Sequence, residues 1–238
     1  MIELQLGPAR AVWTDRHGGV SAAPYDHANL STRVDDDPDA VRENRTRVAN
    51  TLDLAPPEQW WWLDQQHGRT TVVAEVAPPT RPPVADAAVT TRPGVPLTVL
   101  TADCAPIALA SDDAVGVVHA GWHGICAGVI QEAVSGLRAI GHGEVRAALG
   151  PCIHASRYEF GRADLDRVVE LLGPEVESQT DSGALALDLP RAVHLALAHA
   201  GVSAVADVGV CTATSDDHFS HRRDGPTGRQ ALVMVLDP

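Results

Sequence analysis

The sequence predicts an α/β fold organised on a mixed sheet. Short apolar runs bounded by Pro, Asp and Gly alternate along the chain with segments whose apolar residues recur at helical spacing. One pair of neighbouring runs is close enough to close into a hairpin, which a purely parallel sheet does not contain. At 238 residues and 45% hydrophobic side chains, the chain is also long enough to bury a substantial core.

Taken in order, residues 35–39 (Asp-Asp-Asp-Pro-Asp) read as a helix start, and a helix is expected from Val41 to Leu54. Residues 71–76 read as a strand. Residues 77–83 (Ala-Pro-Pro-Thr-Arg-Pro-Pro) form a loop, because proline lacks the N–H that ladders and helices need. That loop is short for a linker and apolar composition resumes beyond it, so one domain is expected over 1–238. Strands are expected at 97–101, 105–110 and 114–119. A helix follows at 124–140, with Ile125, Val129, Ile130, Ala133, Val134 and Leu137 on one face. A strand near 145–149 leads into the Gly150-Pro151 turn. Helices at 162–172 and 188–200 and strands near 205–210 and 231–236 complete the reading.

The charge and residue content exclude whole classes of chemistry. Net charge is −13, which disfavours generic binding to nucleic acid or an anionic membrane. All 18 basic residues are arginine, so neither a P-loop lysine nor a Schiff-base lysine is available. No apolar run is long enough for a membrane span, and Met1-Ile2-Glu3-Leu4 lacks the features of a signal peptide. A cytoplasmic location is therefore expected. Cys104, Cys126, Cys152 and Cys211 are too sparse for a disulfide framework and read as thiols, ligands or nucleophiles.

The stretch 97–124 is the most informative. With a two-residue loop at Ser111-Asp112, strands 105–110 and 114–119 pair so that Cys104 lies directly across from His119 on the same face. Direct cross-strand neighbours stand about 5 Å apart at Cβ, a separation a single zinc ion can bridge. Lengthening the loop by one residue would put the two on opposite faces. His67, between an apolar run and Gly68, offers a third donor. Without one, a cysteine beside a strand is more often a small core residue and a lone histidine a hydrogen bonder. Asp103, next to Cys104, either orients a ligand or caps the turn.

Several motifs then point the same way. Gln66-His67-Gly68, Ala102-Asp103-Cys104-Ala105-Pro106, His119-Ala120-Gly121-Trp122, Gly150-Pro151-Cys152-Ile153 with Tyr158-Glu159, and Phe219-Ser220-His221-Arg222-Arg223-Asp224-Gly225 with Thr227-Gly228-Arg229-Gln230 closely resemble the YfiH-like, laccase-domain-containing family. Asp15 to Ser21 and Glu43-Asn44-Arg45 match as well, so the resemblance runs from about residue 13 to 236. It implies a four-layer α/β/β/α sandwich with mixed sheets. It also implies a zinc site on His67, Cys104 and His119, with copper possible. The family was first described as copper-dependent polyphenol oxidases. It is associated with phosphorolysis of adenosine, inosine, guanosine and methylthioadenosine, with adenosine deamination, and in some members with editing of cell-wall precursors. His123 stands where the family usually has Arg, His221 where it usually has Tyr, and Ser156-Arg157 where a Cys pair is common.

The resemblance makes Arg16, Asn44, Arg222 and Arg223 candidate contacts for nucleoside and phosphate, and Cys104, His119 and Asp103 candidate catalytic groups. Arg222, Arg223 and Arg229 form the dense basic cluster of an acidic chain, and a solvated hairpin tip is the plainer alternative. Arg16 sits in a glycine-rich turn. Trp60-Trp61-Trp62 reads as a partly buried strand or interface before it reads as a stacking platform. Two other enzyme readings stay open: a metal-free cysteine hydrolase or amidase with Cys104 as nucleophile and His119 as base, and a copper-dependent polyphenol oxidase, although no His-x-His pair is present. A non-catalytic module binding a partner through the tryptophans is the remaining alternative. The oligomeric state is not legible.

Overall fold

The computed structural model describes residues 1–75 and 77–237. In chain order the elements are β1 (Ile2–Leu6), β2 (Ala9–Trp13), α1 (Pro38–Leu52), β3 (Thr71–Val73), β4 (Ala87–Thr90), β5 (Leu97–Thr101), β6 (Ala105–Ala110), β7 (Val115–Ala120), α2 (Trp122–Ala127), α3 (Val129–Ile140), β8 (Arg146–Leu149), α4 (Arg162–Leu172), β9 (Glu177–Gln179), β10 (Leu185–Leu187), α5 (Leu189–His199), β11 (Ala204–Asp207), α6 (His221–Asp224) and β12 (Gln230–Leu236).

Two sheets dominate. One has four antiparallel strands in the order β1-β2-β12-β5; the other has six strands, β11-β8-β6-β7-β4-β3, with parallel pairs at both edges. The alternation along each strand explains how they stack. In β12, Leu232, Met234 and Leu236 turn towards the six-stranded sheet, where Val115, Val117, Ala108 and Ala110 meet them. Ala231, Val233 and Val235 turn the other way, onto Val48, Ala49 and Leu52 of α1. On the far side of the larger sheet, Ile107, Leu109 and Val118 pack against α2, α3, α4 and α5 through residues such as Ile130, Leu137, Leu165 and Val193. The layers therefore run α/β/β/α. Among the described residues no helix is long and apolar enough to cross a membrane.

Several expected elements differ in detail. The helix expected from 41 starts at Pro38, because Asp37 caps it by accepting from the Asp39 N–H and proline suits the first turn. The helix expected at 124–140 is two helices, broken where Gly128 turns to φ +90°, a left-handed conformation that suits glycine. The strand expected at 71–76 ends at Val73, and Val76 lies outside the described residues. Strands β1, β2, β4, β9 and β10 have no counterpart in the sequence-based expectation.

The hairpin register also needs correction. Its loop is four residues long, with the Ser111 N–H donating to the Ala114 carbonyl and Ala110 facing Val115. His119 therefore lies across from Pro106, not from Cys104. Because the loop grew by two residues, the side-chain parity is kept. Cys104 and His119 still belong to the face that looks towards the smaller sheet.

Candidate metal centre

His67, Cys104 and His119 meet at one end of the layer between the two sheets. Each offers one ligand atom, and the three atoms lie within 4.8 Å of one another. The Cys104 Sγ is 3.8 Å from His67 Nε2, and the two imidazole rings stand edge to face with centroids 4.8 Å apart. Ligands at about 2.0–2.3 Å from one tetrahedral zinc ion are separated by distances of this order. The donors come from three places: the loop before β3, the residue before β6, and β7 itself.

Asp86, just before β4 and 1% exposed, organises this cluster. Its carboxylate accepts the backbone N–H groups of Gln66, His67 and Gly68 at 3.2, 2.9 and 2.7 Å. That cradle holds His67 at φ +56°, an uncommon backbone region for a residue with a side chain. The same carboxylate accepts from His119 Nδ1 at 2.8 Å, and the Asp86 carbonyl accepts the His119 N–H at 2.7 Å. With Nδ1 engaged, His119 presents Nε2 to the cluster, the usual arrangement of a histidine ligand with a carboxylate behind it. Space is reserved as well. A Cβ at Gly121 would stand 2.9 Å from His67 Cδ2 and 3.0 Å from Cys104 Sγ.

The electrostatics favour a thiolate. Burial pushes the Cys104 thiol up, but the charge of His119 and hydrogen bonds from His119 and His67 outweigh it and bring the pKa down to about 6. Burial lowers His119, yet the Cys104 charge and the Asp86 hydrogen bond raise it to about 9. Burial also pushes Asp86 up, and the bond to His119 with those from the backbone holds it below the usual carboxylate range. A thiolate is the form that ligates metal or attacks carbon. Cys152, by contrast, is raised well above an ordinary thiol, mainly by burial.

The cluster opens into a cavity of about 460 Å³. His67, Cys104 and His119 form one wall. Leu100, Thr101 and Ala102 at the end of β5, with Arg229 just before β12, form another; Ser31, Arg33, Val34, Leu63, Gln65 and His221 complete the rim. Arg229 is the partly buried cation here. Burial lowers its pKa, against the opposing charges of Cys104 and Asp103.

The structure distributes the remaining candidates differently. Asp103, at φ +105°, makes its carboxylate hydrogen bonds to neither His67 nor His119. It accepts from the Thr212 and Ser220 hydroxyls and from the Arg222 N–H, each at 2.7 Å. It therefore staples chain segments, and the carboxylate bonded to a candidate ligand is Asp86. Asn44 is 1% exposed and binds Ser21, His27, Asn29 and the Val20 N–H, which pins the 19–31 loop to α1; it does not line the cavity. Arg16 donates to the Asp26 carbonyl and lies over the Phe219 ring. Arg223 is spent on Asp224 and on the carbonyls of Thr212, Ser215 and His218. Arg222 donates to the Glu159 carbonyl and faces a different cleft, with Ser156 and Thr180. His221 lines the metal cavity, whereas His123 stacks on Trp122 at 3.6 Å behind His67. Trp60 and Trp61 are buried, all three indoles of the run donate to backbone carbonyls, and none lines this cavity.

Asp86 was not anticipated from the sequence. Its signal was present: one acid inside the apolar run Val84-Ala85-Asp86-Ala87-Ala88-Val89, a pattern that marks a buried, hydrogen-bonded carboxylate.

Residues 10–237 match the family described as multi-copper polyphenol oxidoreductase laccase. A Streptomyces griseus protein named purine nucleoside phosphorylase is 42% identical, covering 97% of this chain and 96% of its own length. A Pseudomonas aeruginosa protein of the same name is 40% identical over 95% and 93%. Among solved structures, a Neisseria meningitidis protein superposes with a TM-score of 0.89 at 34% identity, covering 100% of this chain and 99% of the other. YlmD from Geobacillus stearothermophilus superposes with a TM-score of 0.89 at 31% identity, over 97% and 93%.

Proposed function

The chain belongs to the multi-copper polyphenol oxidoreductase laccase family, and from that premise we propose that it is a zinc-dependent purine nucleoside phosphorylase acting on adenosine, inosine, guanosine and methylthioadenosine. The observation that carries the reading is a Cys and two His converging on one point at the wall of a cavity that also holds an arginine. The names of the relatives support it.

His67, Cys104 and His119 fit zinc by chemistry: one thiolate and two imidazoles form a borderline-soft donor set with a fourth direction open to the cavity. When bound, the ion supplies Lewis acidity and an exchangeable fourth position. The protein's own part is positioning. Asp86 fixes the tautomer of His119 and the turn that carries His67, while the cavity wall holds the nucleoside and an anion against them. Adenosine deamination, in which water enters at C6 and ammonia leaves, is a second activity proposed for the same open position. Multi-copper oxidation is less well supported, since the described residues gather one three-donor cluster and that chemistry uses several copper ions. The partners proposed are small molecules, nucleoside and phosphate, in the cytoplasm; the charge of −13 counts against nucleic acid.

The test is a metal-analysed preparation incubated with a nucleoside panel, with and without phosphate. Free base and ribose 1-phosphate should appear only with phosphate, and the protein should carry about one zinc per chain. Turnover that ignores both phosphate and chelators would overturn the proposal. It would favour the second reading, a Cys104 hydrolase or amidase, for which the thiolate–imidazolium pairing of Cys104 and His119 speaks.

A further inference from the structure

The basic cluster of the sequence divides in space. Arg223 and Arg222 are directed to backbone carbonyls and to a separate cleft. Arg229 is the one of the three that reaches the metal cavity. Its Nη1 donates to the Thr227 and Gly228 carbonyls at 2.7 and 2.9 Å. Those two bonds fix the plane of the guanidinium. Nε and Nη2, which form its side-on fork, have no hydrogen-bond partner among the described residues. No carboxylate pairs with this arginine among those residues either. A fixed fork with two parallel N–H groups matches the oxygens of a phosphate.

A second observation on the same wall points to the same kind of ligand. Thr101 is 2% exposed and lines the cavity, and its Oγ1 is buried without a partner. Buried hydroxyls in folded proteins are normally satisfied. Thr101 ends β5 and pairs with Gln230, the residue after Arg229. Thr101 and Arg229 therefore come from adjacent strand ends of the four-stranded sheet, and both line the cavity whose other wall carries the donor cluster.

We propose that Arg229 and Thr101 form the oxyanion subsite of this cavity and that inorganic phosphate binds there, with Arg222 and Arg223 playing no part in its capture. The proposal rests on the phosphorylase reading. In that reaction a phosphate oxygen bonds to C1′ of the ribose as the C1′–N9 bond breaks. The bonding pair leaves on the purine, which takes up the proton carried by the phosphate, so that nucleoside and phosphate become free base and ribose 1-phosphate. Arg229 and Thr101 hold the entering oxygens on the side of the sugar away from the base.

The experiment measures inorganic phosphate binding by calorimetry on the zinc-loaded protein, alongside the Michaelis constants for phosphate and inosine. Arg229→Lys keeps the charge but loses the fork, and should weaken phosphate binding by roughly tenfold. Thr101→Val keeps the shape and should weaken it about fivefold. In both, the phosphate constant should rise far more than the inosine constant, with zinc content and thermal midpoint close to the parent. Arg222→Gln should leave phosphate binding as it was. Unchanged phosphate binding in Arg229→Lys, or a loss found in Arg222→Gln instead, overturns the subsite while leaving the phosphorylase reading intact. Parent protein that binds phosphate through Arg229 but never cleaves a nucleoside overturns the reaction and keeps the subsite. An adenosine 5′-monophosphate titration is the remaining arm: weakening confined to the nucleotide overturns the assignment to inorganic phosphate.

Discussion

Asp86 and Asp103 are both buried aspartates within hydrogen-bonding reach of the loops around the site, and they do opposite work. Asp86 gathers three N–H groups of the 66–68 turn and the His119 ring, so every bond its carboxylate makes ends on a candidate ligand or on the segment that carries one. Asp103 precedes the candidate ligand Cys104 in the chain, yet its carboxylate bonds go to Thr212, Ser220 and Arg222, over a hundred residues away in sequence. The first sets the direction of a donor atom. The second joins the C-terminal segment to the strand that the cysteine introduces. Adjacency in sequence offered Asp103 either to orient a ligand or to cap the turn; its hydrogen bonds join chain segments, and the carboxylate bonded to the His119 ring is Asp86.

Ligand removal provides the reference for this comparison. Cys104→Ala should abolish stoichiometric zinc, while Cys126→Ala should retain it; equal retention in the two would break the assignment of the cluster. Asp86→Asn should come next, weakening zinc roughly ten- to a hundredfold, as loss of the carboxylate behind a histidine ligand does. Asp103→Asn should leave zinc affinity near the parent value and lower unfolding stability by about 3 kcal/mol, since a buried acceptor of three hydrogen bonds is impaired. If Asp103→Asn lost zinc as Asp86→Asn does, the distinction between the two would fail. Asn44→Ala should have the smallest effect, a stability loss of about 2 kcal/mol with unchanged Michaelis constants, because that amide ties a loop to α1 and stays out of the cavity.

Alkylation sharpens the same picture from the thiol side. Iodoacetamide should spare Cys104 in the zinc-loaded protein and modify it after chelation, whereas Cys152, raised well above an ordinary thiol by burial, should stay unmodified in both. Mass spectrometry of the labelled peptides decides it. Rapid labelling of Cys104 in fully active, chelator-resistant protein would favour the nucleophile instead.

How much of this was readable depended on whether the information was local. The mixed sheet, the helices near 41–54, 162–172 and 188–200 and the strand at 105–110 follow from period and from punctuation by Pro, Gly and Asp, which act within a few residues. Strand β4 escaped because Ala87-Ala88-Val89-Thr90 is short and made largely of small side chains that carry little strand signal. With it went Asp86, since the site of that acid is set by β4 lying beside β7. The hairpin register was misjudged because the Ser111–Ala114 connection is fixed partly by the 142–146 segment, with the Asp112 N–H donating to the His142 carbonyl. A segment about thirty residues on that rests against a turn leaves no trace in the turn's own sequence. The arginines were grouped by sequence density, whereas their destinations depend on which carbonyls each one meets.

The seam between the two sheets has a mechanical consequence. The residues proposed to touch the metal lie on or beside strands of the six-stranded sheet, and Thr101 and Arg229 lie at strand ends of the four-stranded one. In the proposed site, the separation of metal and phosphate therefore depends on how the two sheets are held relative to each other. Two things space them: the Ala102-Asp103 link between Thr101 and Cys104, and the apolar layer in which Val99, Leu232 and Met234 share a cluster with Val115 and Val117. These side chains work as a caliper with its jaws at the open end. If the proposed site is right, a change in that layer such as Val117→Ala reaches phosphate affinity without altering any atom proposed to contact phosphate or metal.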